Sequence, residues 1–162
     1  MLRKNFSVDE QTCSMQGQSQ YKTRCGKYKR IGDGIQTDCI ADDGYTQQFY
    51  FRNEPVDQKW TAMGLSPMHA RLMHMYSNLD DPGHECNMDN LFNSVNFARA
   101  AYSLPQRVKV QGVIRKSQRG VPPIVMQEKA KGKKAEDAAR GTTKVAVLRG
   151  NDESSNLIVG SC

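Results

Sequence analysis

The chain has 162 residues, 38% of them hydrophobic, which is enough to bury one core and too few for two full domains. It contains no run of about 18 apolar residues, so no membrane span is expected, and Met1-Leu2-Arg3-Lys4-Asn5 lacks the apolar stretch of a secretory signal. The net charge of +6 is uneven: residues 1–104 carry 11 Lys/Arg against 12 Asp/Glu, whereas residues 105–150 carry 12 against 3. A basic excess in the C-terminal third points to a polyanionic partner, because cations that neutralise phosphates release condensed counterions. A solvated basic loop at Lys129 to Lys134 accounts for its own share equally well.

Phe6 to Met15 reads as a strand, with Phe6, Val8, Glu10 and Thr12 on one side and Ser7, Asp9, Gln11 and Cys13 on the other. Gly17 ends it. A basic connection follows, with Lys22, Arg24, Lys27, Lys29 and Arg30 interleaved with Tyr21 and Tyr28, a pattern suited to backbone phosphates. Gly34 to Ala41 and Tyr45 to Arg52 then form a hairpin around Asp42-Asp43-Gly44, since an Asp-Gly pair tolerates the positive φ angles of a tight turn. Phe49, Tyr50 and Phe51 make its second strand strongly β-prone, and core packing explains them better than base stacking.

After a loop through Pro55 and Trp60, Ser66-Pro67 supplies an N-cap and a proline at the first helical position. Met68, Leu72, Met75, Tyr76 and Leu79 recur at helical spacing, so this is an amphipathic helix, with His69 and His74 near its solvent edge. Pro82-Gly83 marks a turn before the short strand that leads to Asp89, and Val95 to Tyr102 is a second helix. Asp89 thus stands where a strand gives way to a helix. Spacing alone favours a cap or turn aspartate there, and a residue at the floor of a site is the second reading.

Arg107 to Ile114 alternates as a strand and runs into the basic Arg115-Lys116-Ser117-Gln118-Arg119. Gly120 to Gly141 is loop-like, and Thr142 to Arg149 and Asn156 to Val159 are two last strands around a polar turn. The five cysteines, Cys13, Cys25, Cys39, Cys86 and Cys162, are odd in number and include no Cys-x-x-Cys pair, which fits reduced thiols. His84 and Cys86 alone do not make a metal site, so no zinc is assigned.

Three hairpin-linked antiparallel strands followed by alternating helices and strands is the chain order of a ribonuclease H-like mixed α/β sheet. The division expected is a partial core over residues 1–119 and an incomplete basic loop and β-rich insertion over residues 120–162. In that order the first and fourth strands become central neighbours, so Asp9 and Asp89 converge although 80 residues apart. Clustered carboxylates of this kind hold the hard divalent ions used in phosphodiester chemistry.

Several short motifs occur in a fixed order: Val8-Asp9-Glu10-Gln11 with Gly17, the Gly44-Tyr45 hairpin, Met88-Asp89-Asn90-Leu91-Phe92-x-Ser94, and Gly112-Val113-Ile114-Arg115-Lys116 with Arg119-Gly120-x-Pro122. Together they resemble the piggyBac transposase-derived family of DDE/DDD recombinases. The resemblance implies a cut-and-paste DNA transposase, with Asp9 and Asp89 as two metal-binding catalytic aspartates for Mg2+ or Mn2+. It implies double-stranded transposon-end DNA as partner, a nuclear location and a full-length parent that is a homodimer. It also implies a third aspartate further along, which Asp152 and Glu153 do not match, so the chain is expected to be a truncated, inactive piece. The alternatives are a non-catalytic DNA-binding module, working through Lys22 to Arg30 and Arg107 to Arg119, and a remnant without a role.

Overall fold

The computed structural model describes residues 4–20, 22–24, 33–115, 118–125, 144–148 and 157–161. Its central strand is β1 (Asn5–Ser14), flanked by β3 (Asp33–Asp42) on one side and β5 (Glu85–Met88) on the other. β1 pairs antiparallel with β3, from Ser7↔Ala41 to Ser14↔Gly34, and parallel with β5, from Asn5↔Glu85 to Val8↔Met88. β6 (Lys109–Gly112) extends the parallel side, ending on the pair Met88↔Gly112. On the far edge of β3 lie β4 (Tyr45–Phe51) and the short β2 (Lys22–Arg24). The order β4-β3-β1-β5-β6 is the ribonuclease H-like arrangement that the chain order implies.

Local chemistry accounts for the elements. Asp43 and Gly44 take φ of 48° and 80°, which closes the β3–β4 hairpin in two residues. α2 (Pro67–Ser77) starts at Ser66, whose hydroxyl accepts from the His69 amide, and α3 (Val95–Tyr102) starts at Ser94, whose hydroxyl accepts from the Phe97 amide. The short α1 (Gln58–Ala62) is capped in the same way by Asp57. That stretch reads as loop in the sequence because five residues are too few to display a helical period.

Among the described residues α1, α2 and α3 join one apolar cluster. Trp60 of α1, Leu72, Met73, Met75 and Tyr76 of α2, and Phe97 and Ala101 of α3 pack with Phe6 and Val8 of β1, Ile40 of β3 and Cys86 and Met88 of β5. The helices therefore cover one face of the sheet. Side chains alternate along a strand, so Ser7, Asp9 and Gln11 of β1 and Asn87 of β5 belong to the opposite face, and all four are exposed. A second, smaller cluster joins Val95 at the start of α3 to Ile114, Val121 and Val125, and to Ala146 and Val159 of the antiparallel pair β7 (Lys144–Leu148) and β8 (Leu157–Ser161).

Four further sequence expectations change. Lys22–Arg24 is a strand rather than a connection, because the long β3 offers it three partners beyond the end of β4. The strand expected over Arg107 to Ile114 is confined to Lys109–Gly112 by the length of its neighbour β5. His69 is not at the solvent edge: its ring stacks on Phe97 at 4.7 Å and its Nε2 lies 2.9 Å from the Phe92 carbonyl oxygen. Phe49 is not core. It is 57% exposed, on the face away from the helices.

Candidate active site

Asp9 and Asp89 each follow a buried residue of a parallel pair, Val8↔Met88, so they occupy adjoining positions one step beyond the last pairing. Adjacent strands are about 4.8 Å apart, which sets the scale of the gap between their backbones. Val8 and Met88 both face the helices, so both aspartates continue onto the other face, and both are exposed. Each is held alike: the Glu10 amide donates to Asp9 Oδ1 at 2.7 Å, and the Asn90 amide donates to Asp89 Oδ1. Ser94 caps α3, so Asp89 is not that helix's cap. Its carbonyl instead accepts from the amides of Phe92 and Asn93, closing the turn between β5 and α3.

The end of β6 reinforces this position. Gly112 has φ of +146°, and a Cβ there would collide with the Met88 carbonyl oxygen, so only glycine permits β6 to approach β5 this closely beside Asp89. The chain then turns back. Arg115 Nε and Nη2 both lie 3.4 Å from Asn90 Oδ1, bringing one cation of the basic run to the residue next to Asp89. Gly120, at φ +90°, packs against Val95 at the start of α3 and holds this segment down.

The remaining site residues expected from the sequence are dispersed. Arg119 is exposed in the turn closed by the Val121 amide on the Gln118 carbonyl, whereas Lys22 lies on β2, separated from Asp9 by β3. Arg24 is in β2 as well; Lys27, Lys29, Arg30 and Lys116, with Asp152 and Glu153, lie outside the described residues. Among the described residues no group of three or more His, Cys, Asp or Glu side chains is arranged to hold a metal ion. The pair itself offers oxygen donors only, the set that a hard ion such as Mg2+ or Mn2+ accepts from one or two carboxylates with water or phosphate completing the shell. His84 and Cys86 are spent in the core instead: Tyr76 O–H donates to Cys86 Sγ at 3.0 Å, and burial pushes that thiol up to about 12.

A second group of carboxylates is absent from the sequence reading. Asp38 is fully buried on the helix side of β3, where Arg71 Nε and Arg52 Nε each approach one of its oxygens at 2.9 Å. Arg52 also reaches Glu10 at 2.7 Å, and Arg71 donates to the Arg52 carbonyl. Burial opposes the charge on Arg52, but the bonds to Glu10 and Asp38 outweigh it and hold the guanidinium above its ordinary value. The signal that could have found this group is Arg71 itself, a charge lying between Met68 and Met75 on the apolar stripe of α2, which demands a buried partner.

Two exposed carboxylates thus stand at the carboxyl end of neighbouring parallel strands in a mixed sheet of ribonuclease H-like order. A family model described as Transposase IS4 matches residues 2–161, and the chain belongs to that family. Its fold is similar to that of piggyBac transposase, solved by cryo-electron microscopy as a synaptic complex with hairpin DNA, with a TM-score of 0.67 at 16% identity. The match covers 90% of this chain and 29% of that one, so the chain spans less than a third of the piggyBac protein's length. No curated protein sequence matches it. The chain is a transposase-family domain with a fold like that of piggyBac transposase.

Proposed function

We propose that this chain is part of the catalytic core of a cut-and-paste DNA transposase, in which Asp9 and Asp89 grip a divalent cation, Mg2+ or Mn2+, at the phosphodiester to be cut. The observation that carries the reading is their adjoining register on one exposed face. When bound, the cation would offset charge on the phosphate oxygens and favour an attacking water or hydroxyl. The chain's own residues keep the two carboxylates ready: the amides of Glu10 and Asn90 each fix one oxygen of an exposed side chain. Arg115 and Arg119, with Lys116 and the basic run from Lys22 through Arg24, Lys27 and Lys29 to Arg30, would contact the phosphates of duplex DNA at transposon ends. The setting is the nucleus, and the full-length parent works as a homodimer.

Among the described residues no third acid joins the pair, so the chain by itself is expected to show little or no strand cleavage. Electron paramagnetic resonance of Mn2+ tests the pair: the wild type binds the ion, and Asp9→Asn or Asp89→Asn weakens binding at least about tenfold. Equal binding by all three removes the metal from the reading. Robust Mg2+-dependent nicking that disappears in Asp89→Ala would show instead that two acids suffice.

That only two acids meet among the described residues also favours a second reading, a non-catalytic DNA-binding module. In it, duplex affinity survives Asp9→Ala with Asp89→Ala, and neutralising Arg115, Lys116 and Arg119 together lowers the salt slope by roughly one for each phosphate that they had neutralised.

A further inference from the structure

Glu10, the residue after Asp9, stands directly opposite Asp38 in the β1–β3 pairing. Like charges so placed destabilise a strand pair unless a cation joins them. Arg52 joins these two: it follows the end of β4, and its Nη2 lies 2.7 Å from Glu10 Oε1 while its Nε lies 2.9 Å from Asp38 Oδ1. The guanidinium is itself seated, because Asp38 is fully buried and held by Arg71, which also donates to the Arg52 carbonyl at 3.1 Å. A planar fork fixes geometry as well as charge. Its hold extends to the exposed face. Asp9 lies one residue past the last β1–β5 pair, and its Oδ1 accepts from the Glu10 amide at 2.7 Å. That amide belongs to the rigid peptide plane between the two residues, so a clamp on the Glu10 side chain restrains the donor that aims Asp9. Asp89 has the matching bond from the Asn90 amide, but its backbone is set by the turn in which its carbonyl accepts from the amides of Phe92 and Asn93.

We propose that Arg52 is a positioning residue for the metal pair: through Glu10 it sets the orientation of the Asp9 carboxylate toward a divalent cation shared with Asp89. This rests on the reading of Asp9 and Asp89 as metal ligands. Groups behind a ligand that fix its direction tune metal affinity without touching the ion. The charge of Arg52 and its grip act in opposite directions. By its field alone a guanidinium disfavours a second cation nearby, so its removal would strengthen Mn2+ binding. By its grip, removal leaves Glu10 and Asp38 facing one another unbridged and Asp9 freer to turn, so binding weakens. The sign of the change therefore tells the two roles apart.

The test is Arg52→Gln in the full 162-residue chain. Electron paramagnetic resonance shows Mn2+ bound about tenfold more weakly than by the wild type. Without metal, NMR shows the Glu10 amide signal displaced and that of Asn90 in place, because only the first is tethered through Arg52. Arg52→Lys keeps a charge beside Asp38, and with it the fold, but replaces the fork by a point charge, and shows both effects in smaller measure. Leu79→Ala opens a cavity ahead of the start of β5, at the opposite end of that strand from Asp89. It lowers the urea midpoint and leaves both readouts at their wild-type values. The proposal is overturned if Arg52→Gln binds Mn2+ as well as or better than the wild type, if the Glu10 and Asn90 amides move alike or not at all, or if Leu79→Ala reproduces the loss. A wild type that binds no Mn2+ overturns the metal reading and this role with it. Binding that Asp9→Asn loses and Arg52→Gln keeps overturns the role alone.

Discussion

The two faces of the central sheet treat their carboxylates in opposite ways. On the helix side Asp38 is sealed from water and shared between two guanidiniums, and Glu10 is joined to one of them. On the other side Asp9 and Asp89 are exposed, and each has one oxygen bound to the amide of the next residue. A carboxylate neutralised by arginines in a dry core is a structural tie with no valence left for an ion, whereas two exposed carboxylates side by side repel one another unless a cation comes between them. The difference separates structural acids from those available for chemistry, although Asp9 and Glu10 are consecutive residues.

The sharpest way to break that contrast is Asp38→Ala. It strands Arg71 and Arg52 without their shared partner, and the cost expected is about 3–5 kcal/mol, read as a lowered urea midpoint. A stability unchanged from the wild type would mean that the network contributes nothing. Gly112→Ala comes next. Its Cβ meets the Met88 carbonyl oxygen at a φ that L residues avoid, so β6 must shift, at roughly 1–3 kcal/mol and with weaker Mn2+ binding through the displaced Asp89.

On the exposed face the same kind of substitution has little structural effect. Asp9→Asn and Asp89→Asn each change unfolding free energy by no more than about 0.5 kcal/mol, and relief of their mutual repulsion makes the sign of the change favourable. If either behaved like Asp38→Ala in denaturation, the division between the faces would fail.

The smallest effect concerns His69 beneath α3. Burial, opposed by its bond to the Phe92 carbonyl, holds His69 below its ordinary value of 6.5. The unfolded chain then binds this proton more readily than the folded one, so its contribution is complete above that value and is lost as pH falls below it. Urea midpoints on either side of that pH should differ in the wild type and differ less in His69→Gln.

Elements with a local signal were legible from the chain. The run Val95 to Tyr102 predicts α3 as found, Ser66-Pro67 predicts the start of α2, and Asp43-Gly44 predicts the hairpin. The neighbouring of the strands that bear Asp9 and Asp89 was legible too, through the order of elements. The β-prone run at Phe49 to Phe51 identified a strand but not which ring each face would cover. Tyr50 turns to the helix side, where its ring meets His74 and its hydroxyl donates to the Pro55 carbonyl, while Phe49 is left outside. Arg71 on the apolar stripe of α2 called for a buried partner, but nothing in the sequence singled out Asp38, which is 33 residues away on an element of different period.

The amino-acid order alone therefore determined where helices and strands begin, since caps, turns and hydrophobic spacing act over a few residues. It also determined which strands must adjoin, since few topologies are compatible with that succession of elements. Only the tertiary structure decided which acids are buried with arginines and which stay in water, and which aromatic ring is left uncovered. Those outcomes depend on which face of the sheet the helices occupy, and burial of that kind is a property of packed layers rather than of any single stretch of chain.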